Sequence, residues 1–227
     1  MRRVALITGA SRGLGAAIAR ELGSTHRILV GGTNEATVES MVAELDDAAP
    51  FVADLRDDEA VARAAAGVER VDVLVHNAGV EAAKPIADTT RDDWRAIFEI
   101  NVFAVAQLTA LLLPKLRESN GHVLTINSGM GFRSGARGGL YAGSKFALRA
   151  FTDALREDER GRVRVTSIHP GRVDTDMQRA MMARDGREYQ QELYIRPESV
   201  AATVRLAVDT TPEASIDELQ IRPVTTT

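Results

Sequence analysis

The chain has 227 residues, 44% of them hydrophobic and 26% charged, with a formal net charge of −4. This is ordinary for one globular domain with a sizeable core, and it argues against nucleic acid as the main partner, since phosphate binding usually needs a basic patch. The absence of cysteine excludes disulfides, thiolate nucleophiles and cysteine metal sites, and the four histidines, at 26, 76, 122 and 169, show no metal-ligand spacing.

Strand-like and helix-like segments alternate along the chain, the pattern of an α/β fold with a doubly wound parallel sheet. Strands are expected at 3–8, 27–31, 50–53, 71–76, 121–127, 162–168 and 218–222. Helices are expected at 13–23, 34–45, 57–66, 91–118, 139–159 and 197–209. The first strand, Val4 to Thr8, runs into glycines at 9, 13 and 15 and then into an apolar-periodic helix carrying Leu14, Ile18 and Leu22. Strand, glycine-rich turn and helix in that order are what a dinucleotide site needs. Gly9 permits the tight turn, Gly13 lets the backbone approach a pyrophosphate, and Gly15 allows close helix–strand contact at a helix N-terminus. The alternative is a tight turn with nothing bound.

Further along, Thr90 with Asp93 reads as a capping box for the long fourth helix, and Pro114 sits where that helix should kink or end. Asn101 falls inside the same helix, where asparagine is mediocre, so it needs either a water-holding role or an exposed face. No break resembles a linker, which makes residues 1–227 a single domain. One polar segment, Asp174 to Arg196, departs from the alternation and carries Met177, Met181 and Met182. No apolar run approaches the roughly 20 residues needed to cross a bilayer. The apolar start of MRRVALIT is interrupted too early for a signal peptide, and a cytoplasmic protein is the simplest expectation.

Tyr141 and Lys145 stand four apart in GLYAGSKFAL, on one face of the expected helix, and Ser128 closes an apolar run upstream. A free tyrosine, with a pKa near 10, is only about 0.1% ionised at neutral pH. A fixed positive charge beside it would favour phenolate and draw the pKa toward the working range. Ser128 would point its hydroxyl at the same substrate oxygen. The plainer alternatives are a packing tyrosine, a solvated lysine and a strand-ending serine. Arg133 and Arg137, in the loop before Tyr141, are candidates to grip a substrate carboxylate or are simply exposed loop arginines. His76 and His169 read as satisfied buried histidines.

Taken together these segments resemble the short-chain dehydrogenases/reductases, in their single-domain subclass, over nearly the whole chain. TGASRGLG (8–15) is similar to that family's cofactor loop, which would give Gly9, Ser11, Arg12, Gly13, Leu14 and Gly15 cofactor contacts. The resemblance extends to Asp54 and Leu55 in VADL beside the adenine, and to Asn77, Ala78 and Gly79 of HNAG. PGRVDT resembles the segment over the nicotinamide, with Pro170, Gly171, Val173 and Thr175, although Thr175 would equally serve as a helix cap. It implies catalytic roles for Asn101, Ser128, Tyr141 and Lys145, with Asn101 in a proton relay and the last two also binding the cofactor. It further implies a substrate lid at about 174–196, a small carbonyl or alcohol substrate, no metal, and a homodimer or homotetramer packed through the long helices.

Cofactor choice turns on the end of the second strand. Users of NAD in this type of site place an acid there for the adenosine ribose. RILVGGTN instead offers Gly31, Gly32 and Thr33, and Arg12 stands where the family's NADP users carry a basic residue. NADP(H) is therefore expected, with NAD(H) possible if Glu35 takes the acid's place. The expected activity is hydride transfer between NADP(H) and a carbonyl/alcohol pair. The alternatives are an NAD-dependent alcohol or hydroxy-acid dehydrogenase, an epimerase or dehydratase that keeps its cofactor, and a non-catalytic dinucleotide sensor.

Overall fold

The computed structural model describes residues 2–224. Seven parallel strands form one sheet in the order β3-β2-β1-β4-β5-β6-β7: β1 Arg3–Ile7, β2 His26–Gly32, β3 Ala48–Val52, β4 Val73–His76, β5 His122–Ile126, β6 Arg164–Pro170 and β7 Glu218–Ile221. The chain runs outward from β1 to β3, then returns to start β4 on the other side of β1. That reversal opens a crevice beyond the carboxyl ends of β1 and β4, where open α/β sheets bind ligands. Central strands buried on both faces read as continuous apolar runs, as VLVH and HVLTI do here.

Helices cover both faces. Helix α1 (Gly13–Gly23), α2 (Glu35–Ala43) and α8 (Pro197–Val208) bury Ile18, Leu22, Val38, Met41 and Val204 against one face. Helices α3 (Asp58–Ala66), α5 (Ala104–Glu118) and α6 (Gly139–Asp158) bury Val61, Leu108, Leu112, Leu116 and Leu155 against the other. Each such side chain contributes about 1.5–3 kcal/mol by leaving water. Caps fix where helices begin: Asn34 starts α2, Asp57 starts α3, and Thr90 with Asp93 forms the expected capping box at α4 (Arg91–Phe98).

The segment 91–118 is helical throughout but not uniform, because a π-helical turn at Glu99–Phe103 separates α4 from α5. Such turns widen the hydrogen-bond ladder and accompany functional sites. Pro114 neither ends the helix nor falls outside it: α5 continues to Glu118, and the carbonyl that Pro114 leaves without a donor belongs to exposed Ala110. The stretch Arg91–Glu118, at 28 residues and a mean hydropathy of 1.9 in its most apolar window, is long and apolar enough to cross a membrane, which corrects the reading from run length. Polar Glu99, Asn101 and Gln107 break the run without offsetting its bulk apolarity. Val105, Leu108, Leu112 and Leu116 turn into the core, while Phe103 and Leu111 stay exposed.

The segment after β6 folds as α7 (Asp176–Arg184), followed by a short 3-10 turn at Gln191–Leu193, and a bridge from Val173 to Ile195 closes its base.

Candidate active site

The crevice is a cleft of about 1980 Å³ running from the β1–α1 turn to α7. That is roughly twice the upper end of the usual range for small-ligand pockets, space for a dinucleotide and a second molecule. At one end the backbone does the work. Thr8 Oγ1 accepts the N–H groups of Asn77 and Ala78, each at 3.0 Å. Asn77 Nδ2 in turn donates to the carbonyls of Thr8 (2.9 Å) and Gly9 (3.2 Å), tying the NAG segment to the end of β1. Gly9 and Gly13 have φ of +65° and +55°, a region open to glycine. A Cβ on Gly15 would lie 2.1 Å from the Gly9 carbonyl oxygen, so no other residue fits there.

This end suits a dinucleotide phosphate. Arg12 occupies the N-cap of α1 without a side-chain cap, and the first turn carries no acid. The orphan N–H groups and the positive end of the helix therefore meet the cleft unneutralised. In front of Gly13, only a Thr175 methyl group comes as close as 3.9 Å to where a Cβ would stand. Ser11, Arg12, Leu14 and Thr33 line the same end. At the end of β2 a Cβ on Gly31 would lie 2.6 Å from the Ile7 oxygen, and one on Gly32 would lie 2.6 Å from a Val38 methyl. Backbone packing keeps Gly31 side-chain-free, and a side chain at Gly32 would have to displace Val38, so neither position offers an acid.

Asp54 and Leu55 also line the cleft, but the Asp54 carboxylate is already engaged. Arg56 donates to it from its backbone N–H (3.0 Å) and from Nε and Nη2 (3.0 and 2.7 Å), and these bonds hold its pKa below the usual carboxylate value. The sequence reading missed Arg56, which stands two residues further on in the same loop.

Beyond the ends of β4 and β5 lie the four residues expected to act together. Ser128 follows β5 and caps a tight turn, Gly129–Gly131, accepting the Met130 N–H at Oγ (3.1 Å) while its own N–H donates to Asn127 Oδ1 (2.9 Å). Tyr141 and Lys145 share the first two turns of α6. The Lys145 ammonium is buried, donates to the Ile126 carbonyl at 3.0 Å, and lies 5.7 Å from the centre of the Tyr141 ring. Asn101 sits in the π-helical turn with its side chain fully used. Oδ1 accepts from Val80 N–H (2.9 Å), and Nδ2 donates to the Val80 carbonyl (2.9 Å) and to Ser144 Oγ (3.0 Å). Ser144 then donates to the Tyr141 carbonyl at 2.8 Å, so Asn101 reaches the Tyr141 turn through one hydroxyl. It is neither exposed nor idle.

The electrostatics correct one expectation. Lys145 does not draw the Tyr141 pKa down in this arrangement. Burial pushes Tyr141 up to about 12, and the Glu81 carboxylate adds to the rise, while a hydrogen bond with Ser128 opposes it. Burial also pushes Lys145 down to about 8. The Ile126 carbonyl takes one of its three N–H groups, and desolvation of the phenolate outweighs a cation at this distance.

The far end of the cleft is built from side chains. Arg184, on the last turn of α7, grips Glu81 with two bonds of 2.7 and 3.3 Å. Arg137, at φ +62°, lies at the cleft rim with its guanidinium 3.7 Å from the Asp185 carboxylate, an exposed ion pair beyond hydrogen-bond distance. Arg133 is exposed at the rim. Asp174 accepts from Arg179 (2.6 Å) and from the Tyr189 hydroxyl, and Tyr189 stacks on Tyr194. Met177 is largely exposed and Met182 buried. Thr175 caps α7 by accepting from Gln178 N–H (3.4 Å). Pro170, Gly171 and Val173 form the cleft wall below it, and Gly171 donates to the Ile221 carbonyl at 2.7 Å. His76 is buried against Thr109 Oγ1 (2.8 Å) and held neutral, its pKa pushed down to about 3 by desolvation.

Comparison with known proteins agrees with this geometry. Residues 3–186 match the family model described as short chain dehydrogenase. An uncharacterised short-chain type dehydrogenase/reductase of Sinorhizobium fredii is 35% identical, over 97% of this chain and 91% of its own length. Among solved structures, the closed form of a serine dehydrogenase complexed with NADP+ superposes with a TM-score of 0.91 at 29% identity, covering 99% of this chain and 96% of that one. An alcohol dehydrogenase of the archaeon Thermococcus sibiricus, complexed with 5-hydroxy-NADP, gives 0.90 at 27% identity, covering 99% and 98%.

Proposed function

Because the chain belongs to the short-chain dehydrogenase family, we propose that it is an NADP(H)-dependent oxidoreductase of small carbonyl/alcohol pairs, with Tyr141 as its general acid/base. One observation carries the reading: Ser128, Tyr141 and Lys145 line the same cleft whose other end is the glycine cradle at the head of α1. Bound NADP(H) supplies the hydride in reduction and accepts it in oxidation. With a pKa raised to about 12, Tyr141 is protonated at neutral pH, and this supports a proton donor to the oxygen that gains charge during reduction. The Ser128 oxygen already accepts from Met130, which leaves its O–H to donate to that same oxygen. Lys145 contributes its ammonium below about pH 8. Asn101 ties the Val80 loop to the Tyr141 turn, close to Gly79 and Lys145. In this reading it anchors a water chain that returns the proton to Tyr141 through Lys145.

The side-chain-free end of β2 and the uncapped Arg12 support NADP(H) over NAD(H), as do the NADP ligands of the two structural neighbours. In this reading residues 1–227 act as one cytoplasmic catalytic domain that holds no metal and does not engage nucleic acid or a membrane; positions 1 and 225–227 lie outside the described residues. Exposed Phe103 and Leu111 on the long helices, with Phe146 on α6, support packing against further copies of the chain as a dimer or tetramer. The test is a turnover screen of aldehydes, ketones, 3-oxo acids and 3-hydroxy acids, serine among them, with both cofactors in both directions. Turnover with NADP(H) supports the reading. Cofactor binding without turnover of any class would favour a sensor.

A further inference from the structure

We infer that His169 is a positioning residue for Ser128, holding the carbonyl of the serine peptide and through it the direction of the serine hydroxyl. His169 lies at the end of β6 and is fully buried, with ring Nδ1 3.0 Å from the Ser128 carbonyl oxygen and Nε2 2.8 Å from Ser167 Oγ. A carbonyl oxygen only accepts, so Nδ1 carries the hydrogen and Nε2 accepts from the Ser167 hydroxyl. The neutral ring thus has one tautomer dictated by its two partners. Burial pushes its pKa down and keeps it neutral, with Glu218, Arg149 and Arg222 the charged groups around it.

The Ser128 peptide needs this support. It opens the turn Gly129–Gly131, in which two of the three residues have no side chain to pin it. The backbone contributes two bonds, from Gly131 N–H to the Ser128 carbonyl at 3.0 Å and from Met130 N–H to Ser128 Oγ at 3.1 Å. The remaining restraints come from two side chains, Asn127 on the N–H and His169 on the carbonyl. The histidine is itself fixed: Phe132 packs on its ring with centroids 4.4 Å apart, and Arg222 donates to its carbonyl at 2.9 Å. A displacement of about 1 Å at a reacting group can cost on the order of 100-fold in rate. Removing one of four restraints should cost less.

This inference rests on the catalytic reading of Ser128, and a double-mutant cycle separates the two. His169→Leu should lower kcat by about tenfold or more while the NADPH Kd, read by nicotinamide fluorescence, stays within about twofold. In a Ser128→Ala background the same change should cost less than about twofold, because the group it positions is gone. His169→Asn, whose amide N–H can take the place of Nδ1–H, should restore kcat to within about threefold of the parent. In the cofactor-free protein, ¹⁵N shifts should report a neutral His169 ring protonated at Nδ1 at pH 7, a readout that survives even if His169→Leu does not fold. Equal losses in both backgrounds, full activity in His169→Leu, or an Nε2-protonated ring would overturn the inference alone. A silent Ser128→Ala would overturn the catalytic reading and this inference with it.

Discussion

The two ends of the cleft are built on different principles. At the β1–α1 end the contacts are backbone: two glycines at positive φ, a third with a neighbouring carbonyl 2.1 Å from where its Cβ would be, and an uncapped helix N-terminus. At the α7 end the contacts are long side chains: Glu81 with Arg184, Arg137 with Asp185, Asp174 with Arg179 and Tyr189. The first end leaves little room for substitution at Gly9 and Gly15, where neighbouring backbone lies 3.1 and 2.1 Å from a would-be Cβ. The second can exchange partners residue by residue, and it is the end that would select the substrate. A family can therefore keep one dinucleotide cradle while varying what it acts on, because the two tasks fall on parts of the fold with different tolerance to substitution.

The largest expected effect breaks the rigid end. Gly15→Ala puts a methyl group where the Gly9 carbonyl now lies, and backbone must move to admit it. We expect no measurable NADPH binding, or a chain that no longer gives a cooperative thermal transition. An affinity within tenfold of the parent would show that the cradle is softer than its packing implies. Next comes Tyr141→Phe, which removes only a transferable proton. It should lower kcat by roughly 10²–10⁴-fold and leave NADPH binding within a few-fold. More than about a tenth of the parent kcat remaining would remove Tyr141 from the role of main acid.

The contrast also explains what the sequence could reveal. The sheet and the glycine cradle are legible because each depends on local periodicity or backbone freedom, whereas Ser128, Tyr141 and Lys145 come together only through the resemblance of their motifs to the family. The π-helical turn is not legible, since residues 91–118 keep a helical pattern through it, yet it explains the asparagine that looked out of place there. Glu81 and Arg184 are 103 residues apart, and no local pattern pairs them. Arg56 was close enough in sequence to Asp54 to suggest an ion pair, but its conformation was not readable. The direction of the Tyr141 shift was misjudged for the same reason: spacing gives proximity to Lys145, while burial is a property of the whole fold.

Lys145→Met sharpens the boundary between the two ends. Burial sets the Lys145 pKa at about 8, below its ordinary 10.5, so the side chain is charged below pH 8 and loses its charge as pH rises through that value. Carbonyl reduction in the parent should therefore decline above about pH 8. The variant should lose that decline, with kcat lower by about 10- to 150-fold at pH 7, the range of one charge-assisted hydrogen bond. A parent-like pH profile in the variant would assign the decline to another group.

Arg12→Ala tests cofactor choice without touching the chemistry. A charge-assisted bond to a 2′-phosphate is worth at least about tenfold in affinity, and salt should screen it. Titration with NADPH and NADH should show a preference of about tenfold or more in the parent, mostly lost in the variant. Equal affinities in the parent would return the choice to NAD(H).

The smallest expected effect belongs to the soft end. Arg184 is about a third exposed, and Glu81 retains 9% exposure, so their pair is worth about 1 kcal/mol after solvent screening. Its location matters more than its strength, since it ties the last turn of α7 to the loop that follows β4, and Glu81 is the carboxylate that raises the Tyr141 pKa. Arg184→Met should therefore raise the substrate KM by about three- to tenfold with NADPH affinity unchanged, and should speed limited proteolysis within 174–196. Glu81→Gln should loosen α7 to the same extent but also lower the Tyr141 pKa, because it removes the negative charge. The two variants should thus share their KM and proteolysis changes and differ in the rising limb of the alcohol-oxidation pH profile, which reports Tyr141 deprotonation and should move to lower pH in Glu81→Gln alone. If both variants shifted that limb equally, the ion pair would be acting on Tyr141 as a unit, and the separation of the adaptable α7 end from the chemistry at Tyr141 would fail at this residue.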